Sequence, residues 1–380
     1  MKHIFILGAR GYHANYGGWE TFVSKLVDNY NEKNTIFHIS MVTDDKNLDE
    51  YNVNDNIIIN PIYVKSSGSI KMFIYSVKAF CYYLNYIEKE NISNSYIYIL
   101  GLKLFNYLWL KKNIIRKLGV KVFVNPDGLE WKRSKWSYPV KKFFLISERL
   151  MLNNCDLIVC DGLGIEKYIH DKYPKLSDKT TYIAYGCDFF NFDKIDETGI
   201  LKEYNLKKNN YILLVGRCVP ENNYEFIINE YMKSDSSKDL VIITNLSSSN
   251  YYDELKEKTS FKNDKRIRFI NGVYDNEKLA SIRKNAYAYI HGHSVGGTNP
   301  SLIEALSLTD LNILYDICFN RDVGQDACLY FKENGSLTNI LNDSKYLDSN
   351  RKKLGMKAKK IVRDSFTWDI IVDKYKKIFK

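Results

Sequence analysis

The sequence predicts an α/β protein of two doubly wound, Rossmann-like domains facing each other across a cleft. Three observations predict it. Short β-rich runs alternate with helix-like patterns through all 380 residues, the pattern of parallel sheets with helices on both faces. The runs fall into two sets, each sufficient for one domain, in a chain long enough for two domains with cores of their own. Glycine-rich stretches directly follow apolar runs in both halves, at the strand-to-helix junctions where open sheets bind ligands.

Taken in order, the expected strands cover residues 3–7, 35–42, 57–63, 95–100, 120–124 and 156–160, then 211–215, 239–244, 266–270, 286–291 and 312–315. The polar, weakly patterned stretch 186–208 reads as a linker, which places an N-terminal domain at 1–185 and a C-terminal domain at 209–362. The helical pattern after Asn350 breaks near Ser365-Phe366-Thr367-Trp368, so residues 363–380 are expected to form a helix that packs back on the first domain.

Composition narrows the function classes. With 45% apolar and 26% charged residues the chain is that of a soluble globular protein. Its seven cysteines are scattered, with no Cys-x-x-Cys pair, which suits free thiols in a reducing compartment rather than zinc or disulfides. The apolar run His3–Leu7 is too short for a secretory leader. The longest hydrophobic segment, Tyr96–Leu110, contains Lys103 and falls short of the roughly 20 residues a spanning helix needs. Net charge is +10, and residues 61–150 concentrate it, with 16 Lys and Arg against 5 Asp and Glu. The aromatic-basic segments Lys103–Lys117 and Lys132–Phe144 suit the anionic headgroups of a cytoplasmic leaflet and equally a solvated lysine-rich face. No nucleic-acid partner is expected, because the standard recognition motifs are missing.

Four stretches carry chemistry. Gly8-Ala-Arg-Gly-Tyr-His-Ala-Asn-Tyr-Gly-Gly-Trp-Glu-Thr21 joins a strand to a helix, yet its glycine spacing does not match the dinucleotide fingerprint. Val124-Asn-Pro-Asp127-Gly follows the apolar run from Val120, so the Asp127 carboxylate stands at a strand end and can orient or deprotonate a hydroxyl. Trp131 and Trp136 offer flat faces suited to sugars; a turn aspartate with core tryptophans is the plainer alternative. Tyr211-Ile-Leu-Leu-Val-Gly-Arg217 reads as the opening strand of the second domain, ending at an arginine that can fork onto phosphate oxygens. In Ile290-His-Gly-His-Ser-Val-Gly-Gly-Thr-Asn-Pro-Ser-Leu-Ile-Glu304, Pro300 opens a helix, Thr298 or Asn299 caps it, and its free N–H groups suit a diphosphate. Glu304, one turn in, can accept hydrogen bonds from sugar hydroxyls, or simply favour the helix dipole. His291 and His293 suit a donor phosphate or sugar, and as readily a structural hydrogen bond.

Together these motifs resemble the bacterial rhamnosyltransferase branch of glycosyltransferase family 4. The resemblance rests on Gly8-x-x-Gly11, Tyr16-Gly-Gly-Trp-Glu-Thr21, Asn125-Pro-Asp-Gly-Leu-Glu-Trp-Lys-Arg133, Gly216-Arg-Cys-Val-Pro-Glu-Asn-Asn223 and Gly296-Gly-Thr-Asn-Pro-Ser-Leu-Ile-Glu304, in order along nearly the whole chain. It implies a GT-B fold and a retaining transfer from a nucleotide-sugar, most simply L-rhamnose from dTDP-L-rhamnose, to a lipid-linked saccharide in capsular or surface-polysaccharide synthesis. It implies no metal and no cofactor, and the chain has no Asp-x-Asp. By the same resemblance Arg217, Asn222, His293, Gly296, Gly297, Thr298, Asn299 and Glu304 hold the donor in the C-terminal domain. The N-terminal domain takes the acceptor through Tyr16, Glu130, Trp131 and Arg133. Asp127, Gly17, Gly18 and Arg217 serve the reaction, with the Gly17-Gly18 loop over the diphosphate and sugar.

Two positions depart from the wider family: Asn222 stands where a lysine is usual, and Gly296 where a glutamate is usual. Backbone amides near Gly296–Asn299 would then take over those contacts. The expected location is cytoplasmic, peripheral on the inner face of a bacterial cell membrane. The alternatives are a UDP-sugar donor, a sugar-nucleotide epimerase, an NAD-dependent oxidoreductase with Asp44 on the ribose, and a membrane-surface binding protein.

Overall fold

The computed structural model describes residues 1–13, 18–66, 68–133, 136–246 and 251–380. It divides into two compact units, Met1–Gly186 with Trp368–Lys380, and Cys187–Thr367. Each is built on one sheet.

The first unit holds strands β1 (Lys2–Leu7), β2 (Thr35–Thr43), β3 (Tyr51–Asn54), β4 (Ile57–Tyr63), β5 (Ser95–Leu100), β6 (Lys121–Asn125), β7 (Leu157–Cys160) and β8 (Thr180–Tyr182). Their order is β3-β4-β2-β1-β5-β6-β7-β8. Every pair is parallel except β3 with β4. β5 is buried along its whole length, as the near-continuous apolar runs of helix-covered parallel strands require. The helix Trp368–Ile378 belongs to this unit. Its Tyr375 hydroxyl lies 2.9 Å from that of Tyr98, and the Phe379 ring just beyond it stacks on Phe123.

The second unit holds β9 (Tyr211–Val215), β10 (Asp239–Thr244), β11 (Ile267–Asn271), β12 (Ala288–His291), β13 (Asn312–Tyr315) and β14 (Leu329–Phe331). These six strands are parallel, in the order β11-β10-β9-β12-β13-β14. The chain therefore runs outward from β9 in one direction and from β12 in the other, and the reversal leaves a crevice beyond the carboxyl ends of these two strands. Alternate residues bury on opposite faces. Ile212, Leu214, Leu240 and Ile242 belong to one core, and Tyr211, Leu213, Val241 and Ile243 to the other.

Three short strands, β3, β8 and β14, lie outside the eleven expected from the pattern. The stretch 186–208 is not a linker. From Cys187 it belongs to the second unit, and Leu201 and Leu206 bury in the core beneath Tyr211 and Leu213. The helix Glu197–Glu203 is capped by Asp196, whose side chain accepts from the Gly199 N–H. Two apolar residues five apart in a charged stretch anchor it, a pattern too sparse to register as periodic. The return to the first unit falls after Thr367, so the helix Ser344–Ser365 stays whole within the second unit. Among the described residues no helix is long and apolar enough to cross a membrane.

Candidate functional site

In the second unit the loops after β9 and β12 lie where the strand order reverses, and a network of hydrogen bonds stitches them together. The Asn222 amide donates to the Arg217 carbonyl oxygen at 2.7 Å, and its Oδ1 lies 2.8 Å from His293 Nδ1. Asn223 donates to the Gly292 carbonyl at 2.8 Å. The Ser294 N–H and hydroxyl both donate to the Glu221 carbonyl, at 2.9 and 2.8 Å. The loops approach so closely that a Cβ on Gly292 would stand 2.2 Å from the Asn222 carbonyl oxygen. Asn222 thus carries a bracing role where a lysine would reach outward, and it fixes His293 at the same time.

Arg217 leaves this brace exposed, and its guanidinium has no bonding partner among the described residues. An arginine held by its backbone with its fork free is ready for an anion. Beside it the chain turns at Gly296, whose φ of +139° is open to glycine, and a Cβ there would press on His293 Nε2 at 2.9 Å. Gly297 is half-buried and Thr298 buried. Asn299 caps the helix Pro300–Leu308, its side chain accepting from the Ser301 N–H at 2.9 Å.

Glu304 sits on that helix, and Arg283, absent from the sequence expectations, holds it. Arg283 Nη1 lies 2.7 Å from Glu304 Oε2, with the guanidinium 5% and the carboxylate 38% exposed. Arg283 also donates to Ser301 Oγ at 2.9 Å, and Ser301 meets the Tyr289 hydroxyl at 3.2 Å. Tyr289 in turn lies 3.3 Å from His291 Nδ1. Burial, then His293 and Arg283, hold His291 well below the usual histidine range, so its ring is neutral. Its Nε2 is buried with no partner among the described residues.

In the first unit the loop after β6 carries the second constellation. Asp127 adopts a left-handed backbone with φ 62°, and its N–H donates to Asn125 Oδ1 at 2.8 Å. This local turn lifts the carboxylate off the strand end. Arg133 stands 3.7 Å from Asp127 and 2.6 Å from Glu130. Trp136 Nε1 donates to Glu130 at 2.8 Å. Glu130 and Arg133 are therefore occupied with each other and with the loop. The Trp131 ring is flanked by Lys132 and Lys172, 5.4 and 5.5 Å from its centroid, and Trp136 packs on Phe144. Both tryptophans are half-buried on this loop.

Gly18 opens the helix Gly18–Asp28 and is exposed. Glu20, buried on that helix, accepts from the Arg10 N–H at 2.8 Å, and Ser24 accepts from the His13 N–H at 2.8 Å, so the helix pins the start of the loop. Tyr16 and Gly17 lie outside the described residues. Asp161, directly after β7, is also missing from the sequence expectations; it is buried, and its Oδ2 accepts from the Tyr185 hydroxyl at 3.0 Å. Among the described residues no cluster of side chains could hold a metal ion.

The fold is that of the GT-B glycosyltransferases, two parallel α/β sheet domains. Sucrose-phosphate synthase from Thermosynechococcus elongatus superposes with a TM-score of 0.75 at 15% identity, covering 100% of this chain and 98% of that one. Anabaena HepE, solved with UDP-glucose, gives 0.72 at 11% identity, covering 100% and 99%. The catalytic domain of starch synthase IV from Arabidopsis thaliana, bound to ADP and acarbose, gives 0.74 at 10% identity, covering 100% and 98%. In sequence, residues 1–188 match the family model described as a domain of unknown function, DUF1972. An uncharacterized glycosyltransferase of Methanocaldococcus jannaschii is 27% identical over 299 residues, 74% of this chain and 71% of that protein.

Proposed function

We propose that the chain is a retaining glycosyltransferase that moves L-rhamnose from dTDP-L-rhamnose to a lipid-diphosphate-linked saccharide during synthesis of a capsular or other surface polysaccharide. One observation carries the transferase reading: the unpartnered Arg217 fork stands on a loop braced to the one that leads into the Asn299-capped helix. Arginine and helix N–H groups suit a diphosphate, and Glu304, oriented by Arg283, suits the hydroxyls of the attached ribose. The Methanocaldococcus relative supports the class. Rhamnose, the lipid-linked acceptor and the polysaccharide pathway rest on the motif resemblance. A UDP-sugar donor is the second reading, favoured by the UDP-glucose in HepE.

The reaction needs no protein nucleophile. The acceptor oxygen forms the new bond on the face the diphosphate leaves, and the departing phosphate oxygen takes the acceptor's proton. Arg217 and the helix N–H groups stabilise the charge that develops on the leaving group. Asp127 accepts the hydrogen bond that orients the acceptor hydroxyl. Trp109, Leu110 and Ile114 are exposed among Lys112, Arg116 and Lys117, and this patch supports a peripheral position on the inner face of the cell membrane.

The test is incubation with dTDP-rhamnose and a panel of UDP-sugars in the presence of a lipid-diphosphate acceptor, with products read by mass. A rhamnosylated lipid is the expected product. Product from a UDP-sugar alone would move the donor assignment, and no transfer from any donor would end the transferase reading.

A further inference from the structure

Asn222 dictates which nitrogen of His293 carries hydrogen. Its side-chain amide donates to the Arg217 carbonyl oxygen at 2.7 Å. A carbonyl oxygen can only accept, so the atom facing Arg217 is the amide nitrogen, and the amide oxygen is turned to His293 Nδ1, 2.8 Å away. That oxygen can only accept in its turn. Nδ1 therefore holds a hydrogen, and in the neutral ring Nε2 keeps its lone pair.

The surrounding chain fixes where the ring stands. Asn320, buried on the helix Cys318–Gly324 after β13, donates to the His293 carbonyl at 3.0 Å and to the Tyr315 carbonyl at 2.8 Å. Ser294, the next residue, is tied to Glu221. Gly296 closes the turn beside the ring. A Cβ at Gly296 would have the His293 ring as its nearest neighbour outside the adjoining residues, with Nε2 at 2.9 Å and two ring carbons at 3.8 and 3.9 Å. The missing side chain thus leaves a space against Nε2, and His293 is half-buried, with part of its surface in solvent. His291, its ring 6.0 Å away, does not share this position: its Nε2 is sealed from solvent.

We propose that His293 Nε2 accepts a hydrogen bond from a hydroxyl of the transferred sugar, which makes His293 a specificity-determining contact to the donor's sugar and not to its diphosphate. The inference rests on the reading of these loops as the donor site. A lone pair repels the phosphate oxygens, which also only accept, and selects a group that carries hydrogen. The ribose hydroxyls fall to Glu304 and the diphosphate to Arg217 and the helix N–H groups, which leaves the hydroxyls of the sugar beyond the diphosphate. The substrate class that fits is a nucleotide-sugar with a free hydroxyl near the carbon that bears the diphosphate. A site built to bond that hydroxyl rejects an analogue lacking it.

Two measurements on the full chain test this. In nitrogen-15 spectra of the histidine-labelled protein at pH 8, the ring signals lost in His293→Asn identify His293, and they are expected to show Nδ1 protonated and Nε2 bare. Hydrogen on Nε2 overturns the proposal and leaves the functional reading standing. Calorimetric titration at the same pH then compares dTDP with dTDP-rhamnose, and UDP with UDP-glucose. In His293→Asn the new amide nitrogen takes the place of Nδ1 and keeps the bond to Asn222, while nothing replaces Nε2. The variant is expected to bind the free nucleotide within about twofold of wild type and the matching nucleotide-sugar about tenfold more weakly, the loss of one hydrogen bond. Equal weakening of both forms would put the contact on the diphosphate, and unchanged binding of both would remove it; either result overturns the proposal. Failure of the wild type to bind any of the four would end the functional reading, and the sugar contact with it.

Discussion

Arg283 and Glu304 meet across two helices at 2.7 Å, the guanidinium sealed in and the carboxylate partly in solvent. The pair fixes one face of the carboxylate and leaves the other to a ligand. In Arg283→Lys the charge remains, but one ammonium cannot reproduce the planar fork that reaches both Ser301 and Glu304. Calorimetric titration with UDP and dTDP should show Kd rising about tenfold, or about 1.4 kcal/mol. A change under twofold would mean that Glu304 finds its orientation unaided.

Arg217 makes no ion pair among the described residues, so its removal takes away no structural contact. Arg217→Ala should leave stability within about 0.5 kcal/mol and lower kcat by about 100-fold or more, as loss of a transition-state charge partner does. Thermal unfolding and initial rates on the same preparation separate the two effects. A large drop in melting temperature would show that the side chain is structural.

Asp127 needs a substitution that respects its backbone. Alanine in a left-handed conformation costs about 1–2 kcal/mol by itself, whereas asparagine tolerates φ 62°. Asp127→Asn should therefore fold like the wild type, bind donor within about twofold, and lose transfer by about 100-fold or more if its charge orients the acceptor. Joint loss of donor affinity and transfer would remove that role.

His38 gives the first unit an acid sensitivity. It stacks on Phe5 with Nε2 3.0 Å from His3 Nδ1. Burial first, then His3, lower it to about 3. Between pH 6.5, where an unfolded histidine titrates, and that value, the unfolded chain binds a proton that the folded chain refuses. Its contribution is thus complete above pH 6.5 and is lost as pH falls, by up to about 1.4 kcal/mol per unit. His38→Phe keeps the stack and removes the titration, so urea midpoints for the variant should fall less between pH 6.5 and 4 than those of the wild type.

The sequence told the two halves of the molecule unequally. Strands buried on both faces, such as Ser95–Leu100, are legible because they stay apolar at every position. Tyr51–Asn54, fully exposed at a sheet edge, carries no such signature. Leu201 and Leu206 hide in a charged stretch because two buried side chains suffice to dock a single turn or two of helix. Around the donor loops the residue types were readable, since Pro300 and Asn299 mark a helix start by their own chemistry. Arg283 was not, because an arginine at the end of an ordinary helix says nothing of the carboxylate it will face.

The first unit is interrupted: its last helix follows the whole of the second unit in the chain. During synthesis, residues 187–367 emerge as a complete parallel sheet with its helices while Tyr98 and Phe123 still lack Tyr375 and Phe379. The second-made unit thus has all its strands translated first, and the aromatic face of the first-made one stays bare until residues 368–380 arrive. A stop codon just upstream of Trp368 would release a polypeptide with one sound half and one open wound, a target for chaperones and proteases although the donor loops had been translated intact.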